Sequence, residues 1–183
     1  AEAYLEKTRA VALAGIESGR PADELELRYL TEQAASTYAV LAETYPDWPP
    51  RPRALLHLGL LLDQLDEDKE AERWWNTLIA KYPDSAEAAQ VKLRRSRALL
   101  DDAKFDAAIK LLAPIRKRTD EYGARANYWT AWDHRNSGED EASLEHFHAA
   151  AKLAITTDES IHREAVLDSI IPFSLIYPDN SGV

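Results

Sequence analysis

The chain has 183 residues, with 22 basic against 32 acidic side chains and a formal net charge of −10. That length suffices for one well-buried domain, while the charge repels phosphate backbones and anionic lipid, which excludes nucleic acid and bare membrane as partners. There is no cysteine, so disulfide frameworks, thiolate metal sites and cysteine nucleophiles are excluded too.

The chain opens on AEAYLEKTRA, already helical in pattern, and contains no methionine, so a piece of a longer chain is expected, from which a signal peptide could have been removed. Apolar and small residues then recur at three- and four-residue spacing almost throughout, and no stretch alternates with period two, which predicts an all-α protein. Sharp breaks follow in order at SGRP (18–21), YPDWPPRP (45–52), YPDS (82–85), KRTDE (117–121), RNSGED (135–140) and TTDES (156–160). They cut the chain into helices of about 15–20 residues. The longest apolar run, ALLHLGLLL (54–62), is interrupted by His57 and Gly59 and is far short of a membrane span, so no direct membrane insertion is expected.

The segments before two of these breaks repeat. Residues 32–47 lie over residues 69–84, pairing Ala34 with Ala71, Tyr38 with Trp75, Leu41 with Leu78 and Pro46 with Pro83, a period of 37 residues. The same step reaches Ala108 and Leu112, and 35 residues further on come Ser143, Phe147 and Ala150. Small, then large four residues on, then apolar three further on marks one face of one helix. Periods of this length mark arrays of helix pairs. The preceding helix carries Leu55, Leu58, Gly59 and Leu62 on one stripe, with glycine allowing close approach of its neighbour.

Tyr-Pro-Asp occurs at residues 45–47, 82–84 and 177–179. Pro46 and Pro83 should stop the second helix of each pair, Tyr45 and Tyr82 pack over the joint, and Asp84 or Ser85 cap the next helix with Glu87 returning the contact. The expected caps at later joints are Thr119-Asp120 and a box of Thr156 with Glu159, while Pro172 should kink the last helix, which the third tripeptide and Asn180-Ser181-Gly182 would end.

Leu55, Leu58, Gly59, Leu62, Ala71, Trp75 and Pro83 resemble the tetratricopeptide repeat, with Leu78 where that family prefers alanine; Ser96 and Ala131 replace the glycine in later copies. The resemblance implies one domain over 1–183, a right-handed superhelix of antiparallel helix pairs with repeats at 1–47, 51–84, 86–120 and 122–156 and a partial one at 158–183. It also implies a concave groove lined by the first helix of each pair, here Leu56, Leu60, Asp63 and Gln64, then Leu93, Arg97, Leu100 and Asp101, then Tyr128, Trp132, Arg135 and Asn136. Trp132 is either a groove anchor beside Arg135 or a core residue covered by the helix from about 158. The lysine and arginine clamp of chaperone-binding members is not evident.

No arrangement in the sequence points to catalysis. His146 and His148 stand two apart, on different sides of a helix, and His57 sits within an apolar stripe, so no metal site is expected. Asp101-Asp102 and Glu139-Asp140-Glu141 fall at helix starts and turns, where acids favour the helix dipole. Phosphate loops, Gly-x-Ser-x-Gly and dinucleotide fingerprints are lacking, and no cofactor is implied. The expected function is a non-catalytic scaffold that binds an extended peptide or helix of a partner protein. Its Tyr-Pro-Asp-Ser-x-x-Ala variant is similar to that of bacterial cell-envelope proteins of the Tol-Pal coordinator and outer-membrane assembly lipoprotein type, implying the periplasm of a Gram-negative bacterium, with the cytoplasm as the alternative. Two other readings stand beside it: the helical superstructure of a larger enzyme such as a lytic transglycosylase, and a self-associating repeat.

Overall fold

The computed structural model describes residues 1–18 and 24–178. The SGRP break and the end of the third Tyr-Pro-Asp, with Asn180-Ser181-Gly182, fall wholly or partly outside them. The described residues form ten α-helices and a short 3-10 turn: α1 (Glu2–Ser18), α2 (Glu24–Thr44), α3 (Arg51–Gln64), α4 (Asp68–Lys81), α5 (Ala86–Asp101), α6 (Phe105–Leu112), the turn Ile115–Lys117, α7 (Glu121–Asn136), α8 (Asp140–Ala154), α9 (Glu159–Asp168) and α10 (Ile170–Ile176). They divide into two compact units, Ala1–Ala88 and Ala89–Val183, with the boundary in the first turn of α5. In the first unit α2 packs on α1 and α3, and α3 on α4; in the second α7 packs on α6 and α8, and α8 on α9 and α10. The all-α expectation holds among the described residues, and α1 with α2, α3 with α4 and α7 with α8 pack as sequence neighbours.

The turns that follow α3, α5 and α7 recur atom for atom. Asp66, Ala103 and Gly138 all take positive φ, at 63°, 57° and 80°. One residue later the amide of Glu67, Lys104 or Glu139 donates to the carbonyl of Leu62, Leu99 or His134, at 2.8–2.9 Å. This left-handed stop satisfies carbonyls that the ending helix leaves open. Glycine meets the conformation without strain only at the third copy.

Packing between α3 and α4 trades one side chain against another. A Cβ on Gly59 would overlap the Trp75 indole, so the smallest residue on α3 makes room for the largest on α4, whose indole nitrogen lies 3.5 Å from the Leu56 carbonyl. The later copies place Ser96 before Leu112 and Ala131 before Phe147. All four of these, and Trp75, are buried. Where the first helix gains volume, the second gives it up.

The Tyr-Pro-Asp joints are tied to each other. Helices α2 and α4 stop just before Pro46 and Pro83. The Tyr82 hydroxyl donates to the Pro46 carbonyl at 3.3 Å and accepts from the Arg51 guanidinium at 3.3 Å, while Arg51, buried at the start of α3, also donates to the Ala42 carbonyl at 2.9 Å. Tyr45, by contrast, is 55% exposed.

Four local expectations change. Ser85 caps α5 by accepting from the Ala88 amide at 3.0 Å, but that third helical position is held by alanine, so Glu87 stands one residue short of a capping box. Asp120 caps α7 as expected, accepting from the Tyr122 and Gly123 amides. At the next joint Asp158, rather than Thr156 with Glu159, caps α9 through the Ile161 amide at 3.2 Å, and it also accepts from Arg125 at 2.8 Å. Helix α6 spans only 8 residues, short of the about 15–20 expected of each helix, because Pro114 has no amide hydrogen to continue it and the chain tightens into the 3-10 turn. Pro172 separates α9 from α10, since its ring faces the Asp168 carbonyl four residues back.

Candidate functional site

The residues expected to line a groove divide between the units. On α3, Leu56 is buried, Leu60 and Asp63 half-buried and Gln64 exposed. Helix α3 is covered on nearly every side, with Arg51, Ala54, Leu55, Leu56, Leu58, Gly59 and Leu61 all buried, so Leu56 belongs to the interior and not to a surface. On α5, Leu93 packs into a cluster with Ala89, Leu112, Ile115 and Ala126. Leu100 is half-buried and Arg97 and Asp101 are exposed. Tyr128 on α7 is buried against Ala131, Phe147 and Ala150. Two alternating faces of α7 are thus taken up by its neighbours, which is why a first-helix position can be core as readily as groove.

What remains open on α5 and α7 is an arginine over an aromatic ring. The Arg97 guanidinium lies 4.6 Å from the Trp129 ring centre, with its Nε 3.9 Å from Asp101. Trp129 is half-buried and braced against both clusters of the second unit. A rigid, braced ring under an exposed guanidinium offers a peptide one apolar wall and one planar hydrogen-bond donor. Arg135 points elsewhere, to Asp140 at 3.4 Å.

Trp132 leans into the protein. Its ring meets Phe147 edge-on at 5.7 Å and 88°, and it packs with Ile161 and Ala165 of α9 in one cluster. Its indole donates to the Tyr128 hydroxyl, which in turn donates to Asp168 at 2.7 Å. Burial first, then the bond to Asp168, pushes the Tyr128 hydroxyl up to about 12.

Composition gave no sign of a polar seam between α7 and α8. The imidazole of His146 sits with Nε2 3.0 Å from Arg116 and Nδ1 3.0 Å from the Asn127 side-chain oxygen. Since arginine can only donate, Nε2 accepts and Nδ1 carries the proton. Burial, then the charges of Arg116 and His134, lower its pKa to about 4, so the ring is neutral. His134 stacks on it at 5.3 Å and 2° and bonds to Glu139. Nearby on α7, Asp133 is 1% exposed, its carboxylate oxygens have no hydrogen-bond partner among the described residues, and burial raises its pKa to about 7. The signal available in the sequence was positional: Asn127, Thr130 and His134 occupy the stripe that is Leu55, Leu58 and Leu62 in the better-formed repeat. Among the described residues no group of three potential metal ligands gathers, and no helix is long and apolar enough to cross a membrane.

A tetratricopeptide-repeat family model matches residues 53–85, which covers α3, α4 and the second Tyr-Pro-Asp. No curated protein matches the chain. Among solved structures it is similar to MamA 41-end from Desulfovibrio magneticus RS-1, at 15% identity and a TM-score of 0.48, over 97% of this chain and 98% of that one. It is also similar to a MamA RS-1 ArsTM double mutant at 15% identity and a TM-score of 0.47, over 97% of both chains. The matched segment is the pair in which Gly59 and Trp75 interlock, and there the chain is similar to a tetratricopeptide repeat.

Proposed function

We propose that the chain is a non-catalytic scaffold that holds an extended peptide or a helix of a partner protein on the first helices of its pairs, within a complex of the bacterial cell envelope. The observation that carries the binding role is the exposed Arg97 guanidinium over Trp129. Arginine and tryptophan are the residues most enriched among energetic anchors of interfaces. The envelope setting, and the periplasm in particular, rests on the likeness of the Tyr-Pro-Asp-Ser-x-x-Ala joint to joints of envelope proteins.

The test is site-specific photocrosslinking in the source cells, with the photoreactive residue at position 101, exposed one turn from Arg97 on α5, or at Lys110, exposed on α6 of the same unit. The reading expects a discrete adduct from position 101 only, recovered in the periplasmic fraction, and its loss when Trp129 is replaced by Leu in a variant that still folds. Equal adducts from both positions would remove the groove, and a cytosolic adduct would remove the envelope setting.

A further inference from the structure

A second surface lies within the first unit, whereas Arg97 and Trp129 belong to the second. Between α2 and α4 runs a cleft of about 290 Å³, with α3 beneath it. Its floor is apolar: Leu58 and Leu65 are buried, Leu62 half-buried, and Ala35 and Ala39 keep the α2 wall low. Its rim carries Glu32 and Glu43 from α2, and Glu67 and Glu70 at the start of α4, against the single cation Arg73. Glu32 is engaged by Arg28 at 3.1 Å and Glu70 by Arg73 at 2.9 Å. Glu43 and Glu67 are in no ion pair among the described residues.

Acids at the start of α4 are explained by its dipole, but Glu32 and Glu43 come from the middle and end of another helix and share the same opening. The cleft also shows the contact it favours. Arg73 lies across the face of Trp74, 4.8 Å from the ring centre, with its guanidinium bonded to Glu70. An aliphatic stem on an apolar floor and a cationic head among carboxylates is how lysine and arginine side chains settle at a boundary between apolar and wet surface. The volume is at the small end of ligand pockets, suited to one long side chain and its flanking residues. In the second unit the corresponding ground is filled: His134 replaces Leu62, and His146 replaces Trp74 and binds Arg116.

The geometry points to a docking site in the α2–α3–α4 cleft for a lysine or arginine side chain of a partner peptide, flanked in that peptide by an apolar residue. Attraction comes from the unpaired carboxylates, and selectivity for a long cation over a compact one from the leucine floor. This surface is independent of Arg97 and Trp129, so either can fail without the other.

The probe is a fluorescent twelve-residue peptide of alternating leucine and arginine, with a second in which citrulline replaces every arginine, titrated against the full chain by anisotropy. Glu43→Lys with Glu67→Lys should weaken the arginine peptide at least tenfold. Glu141→Lys with Glu145→Lys, exposed positions on α8 that change the net charge equally, should leave it within twofold, and the citrulline peptide should bind at least tenfold more weakly than the arginine one. Thermal melts of both variants control for folding. Equal loss in the two double variants would mean that only the overall charge is felt, and no measurable binding of the arginine peptide, or binding unchanged by the cleft variant, would likewise overturn the site.

Discussion

Helix pairs α3–α4 and α7–α8 stand at the same place in the repeat, with Gly59 answering to Ala131 and Trp75 to Phe147, yet their interiors are built from different chemistry. The first pair closes on Leu55, Leu58 and Leu62. The second buries Asn127 and Thr130 and partly buries His134, and adds Asp133, whose oxygens find no hydrogen-bond partner among the described residues. Apolar side chains need only the right volume, whereas each buried polar atom needs a partner in one direction. The repeat template therefore prescribes where volume goes and leaves open whether the space between helices is dry. Where it is dry, as over α3, an accessible apolar floor remains under acidic rims; where it is polar, side chains of the chain itself occupy it.

The sharpest test of that equivalence is to convert one pair into the other. Trp75→Ala and Phe147→Ala should each cost about 3–5 kcal/mol in urea unfolding, as expected for emptying a large aromatic site. Trp75→Phe alone leaves space beside Gly59, and Gly59→Ala alone drives a methyl into the indole. The double variant reproduces the Ala131–Phe147 pair and should lose less stability than the sum of its singles, a coupling expected of residues in contact. Simple additivity would mean that the two pairs are not packed alike.

The polar pair should also betray itself in pH dependence. Asp133 is raised to about 7, so the folded state holds a proton the unfolded chain has released, and this contribution to stability is present in acid and lost as pH rises through about 4 to 7. His146 is lowered to about 4, and its contribution runs the other way, present above about 6.5 and lost as pH falls toward 4. In the intact protein the two slopes oppose each other. Asp133→Asn should unmask a stability that rises between about pH 4.5 and 6.5, and His146→Gln one that falls over the same range, each by about 2 kcal/mol, the part of the full effect that falls within that window. Parallel profiles for both variants would refute opposed titration.

How much of this was legible beforehand follows the same division. The Gly59–Trp75 interlock, the proline stops and the Asp120 cap were readable because each depends on residues close in sequence or locked to the repeat period. The Arg116–His146–Asn127 contacts were not, because they join three elements through side chains the template treats as interchangeable. Leu56, Leu93 and Tyr128 show the converse: their assignment to a first helix was sound, but which flank of that helix is covered depends on neighbours that no local pattern encodes. The short α6 is legible in Pro114, whose missing amide hydrogen cannot continue the helix.

The left-handed turns give a smaller contrast. Gly138→Ala should cost about 1 kcal/mol, while Ala103→Gly, which relieves an alanine at φ 57°, should gain a few tenths to about 1 kcal/mol once the added freedom of the unfolded chain is counted. The two shifts in melting temperature should have opposite signs. If both substitutions destabilise, the turns are not equivalent in energy despite their shared hydrogen bonds.

The smallest expected effect concerns the joints. Tyr45 and Tyr82 begin the same tripeptide, but only the second is placed to reach the other joint, through the Pro46 carbonyl and Arg51. Removing one hydroxyl in Tyr82→Phe should therefore cost about 0.5–1.5 kcal/mol, the usual net worth of a hydrogen bond. Tyr45→Phe, at a ring 55% exposed, should be nearly neutral, as surface changes are. Arg51 keeps its bond to Ala42 in either variant, so the loss measures the tyrosine alone. Equal effects from the two substitutions would mean that the tripeptide acts only through its proline, as a helix stop, and that the hydroxyl bridge between joints adds nothing to stability.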